Sequence, residues 1–364
     1  YEVLDLKAGD KIVSMLPMAH MYGLAFEFLY EFSVGCHIYF LTRMPSPKII
    51  FQAFEEVKPN LIVAVPLIIE KIIKKSVLPK LETPAMKILL KVPIINDKIK
   101  ATVREEMIKA FGGEFKAVIV GGAAFNQEVE QFLKMIDFPY TVGYGMTECG
   151  PIICYEDWRR FKPGSCGKAV PRMDVQVLSS DPENIVGEIV CKGPNVMLGY
   201  YKNPELTAEV FTPDGWFRTR DLCAFDPDGF LYIKGRLGSM IVGPNGENIY
   251  PEDIESVLNS HFLISDSIVT QEQGKLVALV RFDRAELEKR YHEFRDDLAT
   301  TMEDIKADVI KYVNSKVNKS SKIATIEEQE HDFEKTPSHK IKRYLYTRKP
   351  KEEKEHPQTP ADKR

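Results

Sequence analysis

The sequence predicts an α/β fold, with a parallel sheet covered by helices, then a β-barrel-like subdomain and a smaller mobile α+β domain at the C-terminal end. Three observations predict it. Continuous β-rich runs at 61–65 and 117–120 are each followed by a helical pattern, at 67–75 and 127–135. Strand-then-helix alternation of this kind implies parallel strands with helices on their faces. From about Gly164 the pattern changes to short strands separated by Pro, Gly and Asp turns. After Arg236 a stretch from Gly238 to Gly246 leads into a further mixed unit.

Taken in order, residues 11–16 and 36–41 read as short strands flanking a helix that begins near Tyr22. The runs at 174–178, 187–192 and 231–234 read as strands of the β subdomain. The predicted organisation is a large domain over 1–236, divided into an α/β part (1–163) and a β subdomain (164–236). A hinge and linker follow over 237–246, then a small domain over 247–348 and a disordered, charged, Pro-rich tail over 349–364.

Bulk composition narrows the functional classes. The chain has 364 residues, enough for at least two domains, and 44% apolar and 28% charged residues, an ordinary globular balance. A net charge of −4 gives no basic field for nucleic acid. Six cysteines, Cys36, Cys149, Cys154, Cys166, Cys191 and Cys223, lack the spacing of a disulfide framework or zinc site, so free thiols in a reducing, cytoplasmic setting are expected. The longest apolar run, 61–69, is too short to span a bilayer and contains Pro66. Over 71–109 lysines and arginines outnumber acids among interleaved apolar residues, which reads either as a solvated helical face or as peripheral contact with an anionic membrane.

Five segments carry candidate chemistry. Val120-Gly121-Gly122-Ala123-Ala124 ends a β-run, where glycines let backbone approach a flat ligand, although a tight turn needs the same residues. Gly143-Tyr144-Gly145-Met146-Thr147-Glu148 offers a ring for adenine, a hydroxyl for phosphate and a carboxylate for Mg²⁺; the plain alternative is a helix start capped by Thr147. In Trp216-Phe217-Arg218-Thr219-Arg220-Asp221, the Asp221 carboxylate can accept both hydrogen bonds of a ribose diol, with Arg236 offering its guanidinium nearby. Asp226-Pro227-Asp228-Gly229 is a hairpin turn. Gly243 to Glu255 is a loop running into a helix whose start is Pro251 followed by acids. Lys335-Thr336-Pro337-Ser338-His339-Lys340-Ile341-Lys342-Arg343 presents lysines on a polar loop, which by themselves are ordinary surface.

In this order and at these separations the five segments resemble the adenylate-forming superfamily of acyl-CoA ligases, nonribosomal adenylation domains and luciferases. The resemblance runs from about Asp10 to Leu345, and its motifs are specific as a set. It implies that Gly121, Gly122, Ala123, Tyr144, Gly145 and Met146 hold adenine, Thr147 contacts phosphate and Glu148 ligates Mg²⁺. It further implies Asp221 as the ribose acceptor, with Ile233 beneath the sugar and Arg236 beside it. Lys340 matches the lysine that bridges the substrate carboxylate and the α-phosphate, where a cation stabilises anions brought together. His20, with Gly143 and Gly145, matches the acyl pocket, the glycines leaving room for the chain. The C-terminal unit is expected to rotate about Gly238 and Ser239, bringing Gly243, Gly246 and Glu247 to the site for attack by coenzyme A.

Three departures from that pattern stand out. Gly-Ser at 238–239 replaces the usual Lys-Asp and offers no charged latch, and His339 replaces a glycine. The Ser/Thr/Gly-rich phosphate loop ending in Pro-Lys-Gly is missing from this sequence, and the first residue is Tyr1. An N-terminally truncated chain is therefore expected, binding nucleotide poorly and turning over little. The expected activity of the parent is a long-chain fatty acid–CoA ligase, most similar to bacterial ones, with ATP, fatty acid and coenzyme A as substrates. Alternatives are transfer to a carrier-protein phosphopantetheine, or a non-catalytic acyl or nucleotide sensor. Acyl chain length and oligomeric state stay open.

Overall fold

A computed structural model describes residues 4–43, 45–73, 77, 93–244, 246–291, 298–336 and 341–347. The chain opens with β1 (Lys11–Ser14), then α1 (Met21–Leu24), a π-helical stretch (Ala25–Leu29) and α2 (Tyr30–Val34), which together make one continuous helical rod. Then come β2 (His37–Phe40), α3 (Pro47–Val57), β3 (Ile62–Ala64), α4 (Pro66–Ile72), α5 (Pro93–Ala110), β4 (Val118–Val120), α6 (Gln127–Met135) and β5 (Tyr140–Val142). The strands β3, β4 and β5 pair in parallel, β1 pairs in parallel with β2, and a parallel bridge between Ile12 and Leu61 joins the two sets. The predicted parallel sheet is therefore present.

Period-two alternation decides which face each strand residue serves. Ile62, Ala64, Val118 and Val120 pack with Ile50, Phe54, Ile69, Ile72, Val129 and Leu133 of α3, α4 and α6. Val63 and Ile119 point the other way, into a second core shared with Tyr22, Phe26 and Tyr30 of the rod. Both faces of the sheet are thus covered by helices.

Antiparallel pairing replaces parallel pairing after β5. Strands β6 (Tyr144–Gly145), β7 (Ile152–Tyr155) and β8 (Lys168–Ala169) form one sheet. Strands β9 (Asp174–Leu178), β10 (Gly187–Lys192), β11 (Phe217–Phe225) and β12 (Leu231–Arg236) form another, in the order β12-β11-β10-β9, with α7 (Pro204–Val210) between β10 and β11. Among the described residues these sheets stay open and no barrel closes. The 226–229 turn joins β11 to β12, with Gly229 donating to the Asp226 carbonyl at 2.9 Å.

The last unit begins with the hairpin of β13 (Ile241–Val242) and β14 (Asn248–Ile249), then α8 (Pro251–Ser260). It continues through β15 (Ile264–Glu272), β16 (Lys275–Phe282), α9 (Arg284–Tyr291), α10 (Leu298–Lys316) and β17 (Ile323–Glu328). Strands β15, β16 and β17 form a mixed sheet, whose core gathers Ile254 and Leu258 of α8 with Val309 and Val313 of α10. This unit touches the first one at α6, where Asn126 donates to Ser260 Oγ at 2.9 Å and Tyr312 and Lys316 reach Glu128. All six cysteines are free thiols. Among the described residues no helix is long and apolar enough to cross a membrane. Most of the basic stretch between 74 and 92 lies outside the described residues.

Candidate functional site

A cleft of about 2070 Å³ runs between the two units, lined at one end by the turn after β4, by β6 and by the facing ends of β11 and β12. Its polar end is built around Asp221. Thr219 Oγ1 accepts from the Asp221 N–H at 3.1 Å and donates to the Ile189 carbonyl at 2.9 Å, which fixes the backbone there. The Asp221 carboxylate accepts from the Tyr144 hydroxyl at 2.7 Å through Oδ2 and from Arg236 Nε at 3.1 Å through Oδ1. A carboxylate has about four lone-pair directions, so about two remain for a ligand diol. Burial, then the Asp221 charge, raises the Tyr144 phenol well above its ordinary range, so it stays a donor.

Tyr144 was expected to offer its ring to adenine. Tyr144 lines the cleft, and its hydroxyl tethers β6 to β11 across 77 residues of sequence. Gly121, Gly122 and Ala123 line the same end. A Cβ on Gly121 would stand 3.0 Å from the Tyr22 ring, so the glycine admits that ring, whose hydroxyl donates to the Ile119 carbonyl at 3.2 Å. The room expected above Gly145 is closed by backbone: a Cβ there would stand 1.9 Å from the Pro151 carbonyl oxygen. Glycine at 145 is thus required by the close pairing of β6 with β7, whereas a Cβ at Gly143 would meet Ile152 at an ordinary 3.4 Å.

Thr147 and Glu148 stand on a 3₁₀ turn (Thr147–Cys149), and Thr147 makes no side-chain cap there. Both line the cleft. Glu148 Oε1 accepts from the Tyr200 hydroxyl at 3.0 Å, a contact no motif announced. Among the described residues no cluster of three or more His, Cys, Asp or Glu side chains could hold a metal. One carboxylate beside a hydroxyl still suits magnesium, which keeps several waters and takes its other oxygens from phosphates.

Met146, Ile233 and Arg236 line the cleft, and so do Gly238 and Ser239. Ser239 Oγ pairs with Glu252 Oε1 and with the Arg236 carbonyl. His20 lines it as well, and its Nδ1 accepts from the Tyr22 N–H at 3.2 Å as the cap of α1. The lining also includes an apolar cluster of Tyr22, Phe26, Tyr30, Leu4, Val63 and Ile119. Gly243, Gly246 and Glu247 do not line the cleft. Gly243 donates to the Glu247 carbonyl at 2.8 Å and Gly246 to the Gly243 carbonyl at 2.9 Å, closing the tip of the β13–β14 hairpin. Lys340 and His339 lie outside the described residues. The flanking segment does reach the cleft, through Ile341 and Arg343. Arg343 pairs with Glu255 at 2.5 Å, and Lys335 with Asp266 at 2.8 Å.

Known proteins resemble this chain in sequence and in fold. The family described as "AMP-binding enzyme" matches residues 1–201. A long-chain fatty-acid–CoA ligase of Saccharomyces cerevisiae, ligase 4, is 29% identical over 73% of this chain and 41% of its own length. The long-chain fatty-acid–CoA ligase FadD15 of Mycobacterium bovis is 27% identical over 96% of this chain and 62% of its own length. The chain therefore spans between about two fifths and three fifths of the length of these relatives. Among solved structures, o-succinylbenzoate CoA synthetase of Bacillus subtilis with its acyl-adenylate intermediate superposes with a TM-score of 0.72 over 95% of this chain and 62% of that one, at 21% identity. An ATP-bound MatB from Rhodopseudomonas palustris superposes with a TM-score of 0.68 over 93% of this chain and 60% of that one, at 20% identity. These last two likenesses are of fold.

Proposed function

Because the chain belongs to the AMP-binding enzyme family, we propose that it is the adenylate- and acyl-binding part of a long-chain fatty acid–CoA ligase. In the reaction the fatty carboxylate attacks the α-phosphorus of ATP, pyrophosphate leaves, and the acyl-adenylate remains. The coenzyme A thiol then attacks the acyl carbon, its proton is lost, and AMP departs.

One observation carries the reading: a single cleft joins the Asp221–Tyr144–Arg236 cluster and Glu148 to an apolar wall formed by Phe26, Tyr30, Val63 and Ile119. A nucleotide and a long hydrocarbon chain need those two surfaces in continuity. In this reading Asp221 accepts from the ribose diol and Arg236 keeps its carboxylate oriented. The 121–123 turn and the β6 backbone bound the adenine, and Thr147 meets phosphate. Glu148 would hold magnesium, which neutralises phosphate charge when bound. Lys340 brings its ammonium to the carboxylate and α-phosphate, and the 243–247 loop serves the thiol step. The relatives named as long-chain fatty-acid–CoA ligases support the choice of acyl group.

Calorimetric titration with a non-hydrolysable palmitoyl-adenylate mimic, beside a short-chain analogue, tests it. Both should bind, the palmitoyl compound more tightly. Equal binding would remove the long-chain assignment, and no binding of either would remove the adenylate site.

A further inference from the structure

The stretch Gly193-Pro194-Asn195-Val196-Met197-Leu198-Gly199-Tyr200, after β10, belongs to none of the five motifs, yet it grips the turn that carries Glu148 at three points. Asn195 Nδ2 donates to the Cys149 carbonyl at 2.6 Å and to the Ile152 carbonyl at 2.9 Å, spanning Gly150 and Pro151. The Met197 N–H donates to the Glu148 carbonyl at 2.7 Å. The Tyr200 hydroxyl donates to the Glu148 carboxylate at 3.0 Å. The far end of the stretch is fixed in turn. Thr207 Oγ1, on α7, accepts from the Tyr200 N–H at 2.9 Å and donates to the Asn203 carbonyl at 2.8 Å.

A turn of three residues has little rigidity of its own, because its few 3₁₀ bonds are poorly aligned. Donors from outside must set both its backbone and the rotamer of its carboxylate. Met197 does the first and Tyr200 the second. A phenol keeps its proton throughout the neutral range, so the hydroxyl remains a donor. Since Tyr200 engages Oε1, the other carboxylate oxygen is left for a cation. Outer-shell donors of this kind commonly set metal affinity by roughly 10- to 100-fold, because they fix the ligand before the metal arrives.

We propose that Tyr200 is a positioning residue that presets the Glu148 carboxylate for magnesium, with residues 195–200 acting as its strap. The proposal rests on the reading of Glu148 as the magnesium ligand.

The test titrates this chain with ATP across a series of Mg²⁺ concentrations and in excess EDTA, following ATP binding by calorimetry and the fold by circular dichroism. Tyr200→Phe should move the Mg²⁺ midpoint up about tenfold and leave the affinity in EDTA unchanged. Tyr201→Phe, at an exposed neighbour, should change neither. Glu148→Gln should abolish the Mg²⁺ dependence. An unchanged or lower midpoint in Tyr200→Phe would overturn the proposal, and so would an equal loss with and without Mg²⁺, which marks a merely structural role. Mg²⁺ dependence that survives Glu148→Gln, or that is missing from the unsubstituted chain, would instead overturn the reading of Glu148, and the proposal with it.

Discussion

Replacing Glu31 with methionine should stabilise the protein at pH 8 and do much less at pH 5. Glu31 lies on α2 with no exposed surface, and neither carboxylate oxygen has a hydrogen-bond partner among the described residues. Burial pushes its pKa from 4.5 to about 7. One turn earlier, Glu27 is pushed to about 8, again chiefly by burial, although its Oε2 accepts from the Leu16 N–H at 2.7 Å and the Met15 N–H at 2.9 Å. The Glu31 charge adds to that rise in Glu27, so the two carboxyls hold their protons together.

The sign follows from proton counting. Below pH 4.5 Glu31 is neutral in both folded and unfolded chains and costs nothing as a charge. Between pH 4.5 and about 7 the folded state holds a proton that the unfolded state has released, so stability falls as pH rises and the loss is complete above 7. The span from 4.5 to about 7 corresponds to roughly 3 kcal/mol. Methionine has nothing to ionise and fills a similar volume. The assay is urea denaturation at pH 5 and pH 8 in a Trp216→Phe background. Trp158, the remaining tryptophan, then reports on the core it shares with Tyr30 and Val34 of α2. The gain from Glu31→Met should be larger at pH 8 by about 2–3 kcal/mol, a little less than the full span because part of it is already lost at pH 5. An equal gain at both pH values would refute the reasoning, because it would show that Glu31 does not carry a raised pKa.

Asp221→Ala removes the acceptor shared by Tyr144 and Arg236, and ATP binding measured by calorimetry should weaken by about 1–3 kcal/mol. Gly145→Ala forces a methyl group against the Pro151 carbonyl, so β6 and β7 must separate; the urea midpoint should fall by the equivalent of about 3 kcal/mol or more. On the proposed function, Lys340→Ala should abolish adenylate formation, read by pyrophosphate exchange, and largely spare thioester formation from a preformed acyl-adenylate. Equal loss in both half-reactions would give Lys340 a different role.

Local chemistry made much of the fold legible. The helix at 127–135 could be read because its apolar residues recur at helical spacing, and in the structure Asn126 caps it, accepting from the Val129 N–H at 3.1 Å. Pro251 with Glu252 and Asp253 announced α8 in the same way. Long-range contacts were not legible. Nothing in Gly-Tyr-Gly-Met signals that the Tyr144 hydroxyl is engaged by Asp221, and nothing near Glu148 signals Tyr200, 52 residues away. Glu27 and Glu31 would read as the solvated stripe of an amphipathic helix. The π-helical stretch changes the phase of that helix, and both acids are buried. The open sheets differ from a barrel because closure depends on strand tilt and stagger, which alternation alone does not encode.

The proposed hinge at 238–239 shows the same division between local and distant information. Gly238 and Ser239 carry no charge, and on sequence alone nothing latches them. A Cβ on Gly238 would meet nothing within 4 Å, so no neighbour crowds that position. Ser239, however, pairs with Glu252 of α8, and Glu252 lies 3.7 Å from Arg343, which is held more tightly by Glu255 at 2.5 Å. The charge missing from the hinge is therefore supplied by α8 and by the segment that follows Lys340. On the proposed rotation at Gly238, the bond from Ser239 to the Arg236 carbonyl breaks because its partners lie on opposite sides of the pivot, while the Ser239–Glu252 bond and the Glu255–Arg343 pair can travel with the unit. That division suits the proposed hinge: the contact that yields joins a neutral hydroxyl to a carbonyl, and the charged Glu255–Arg343 pair stays within the unit.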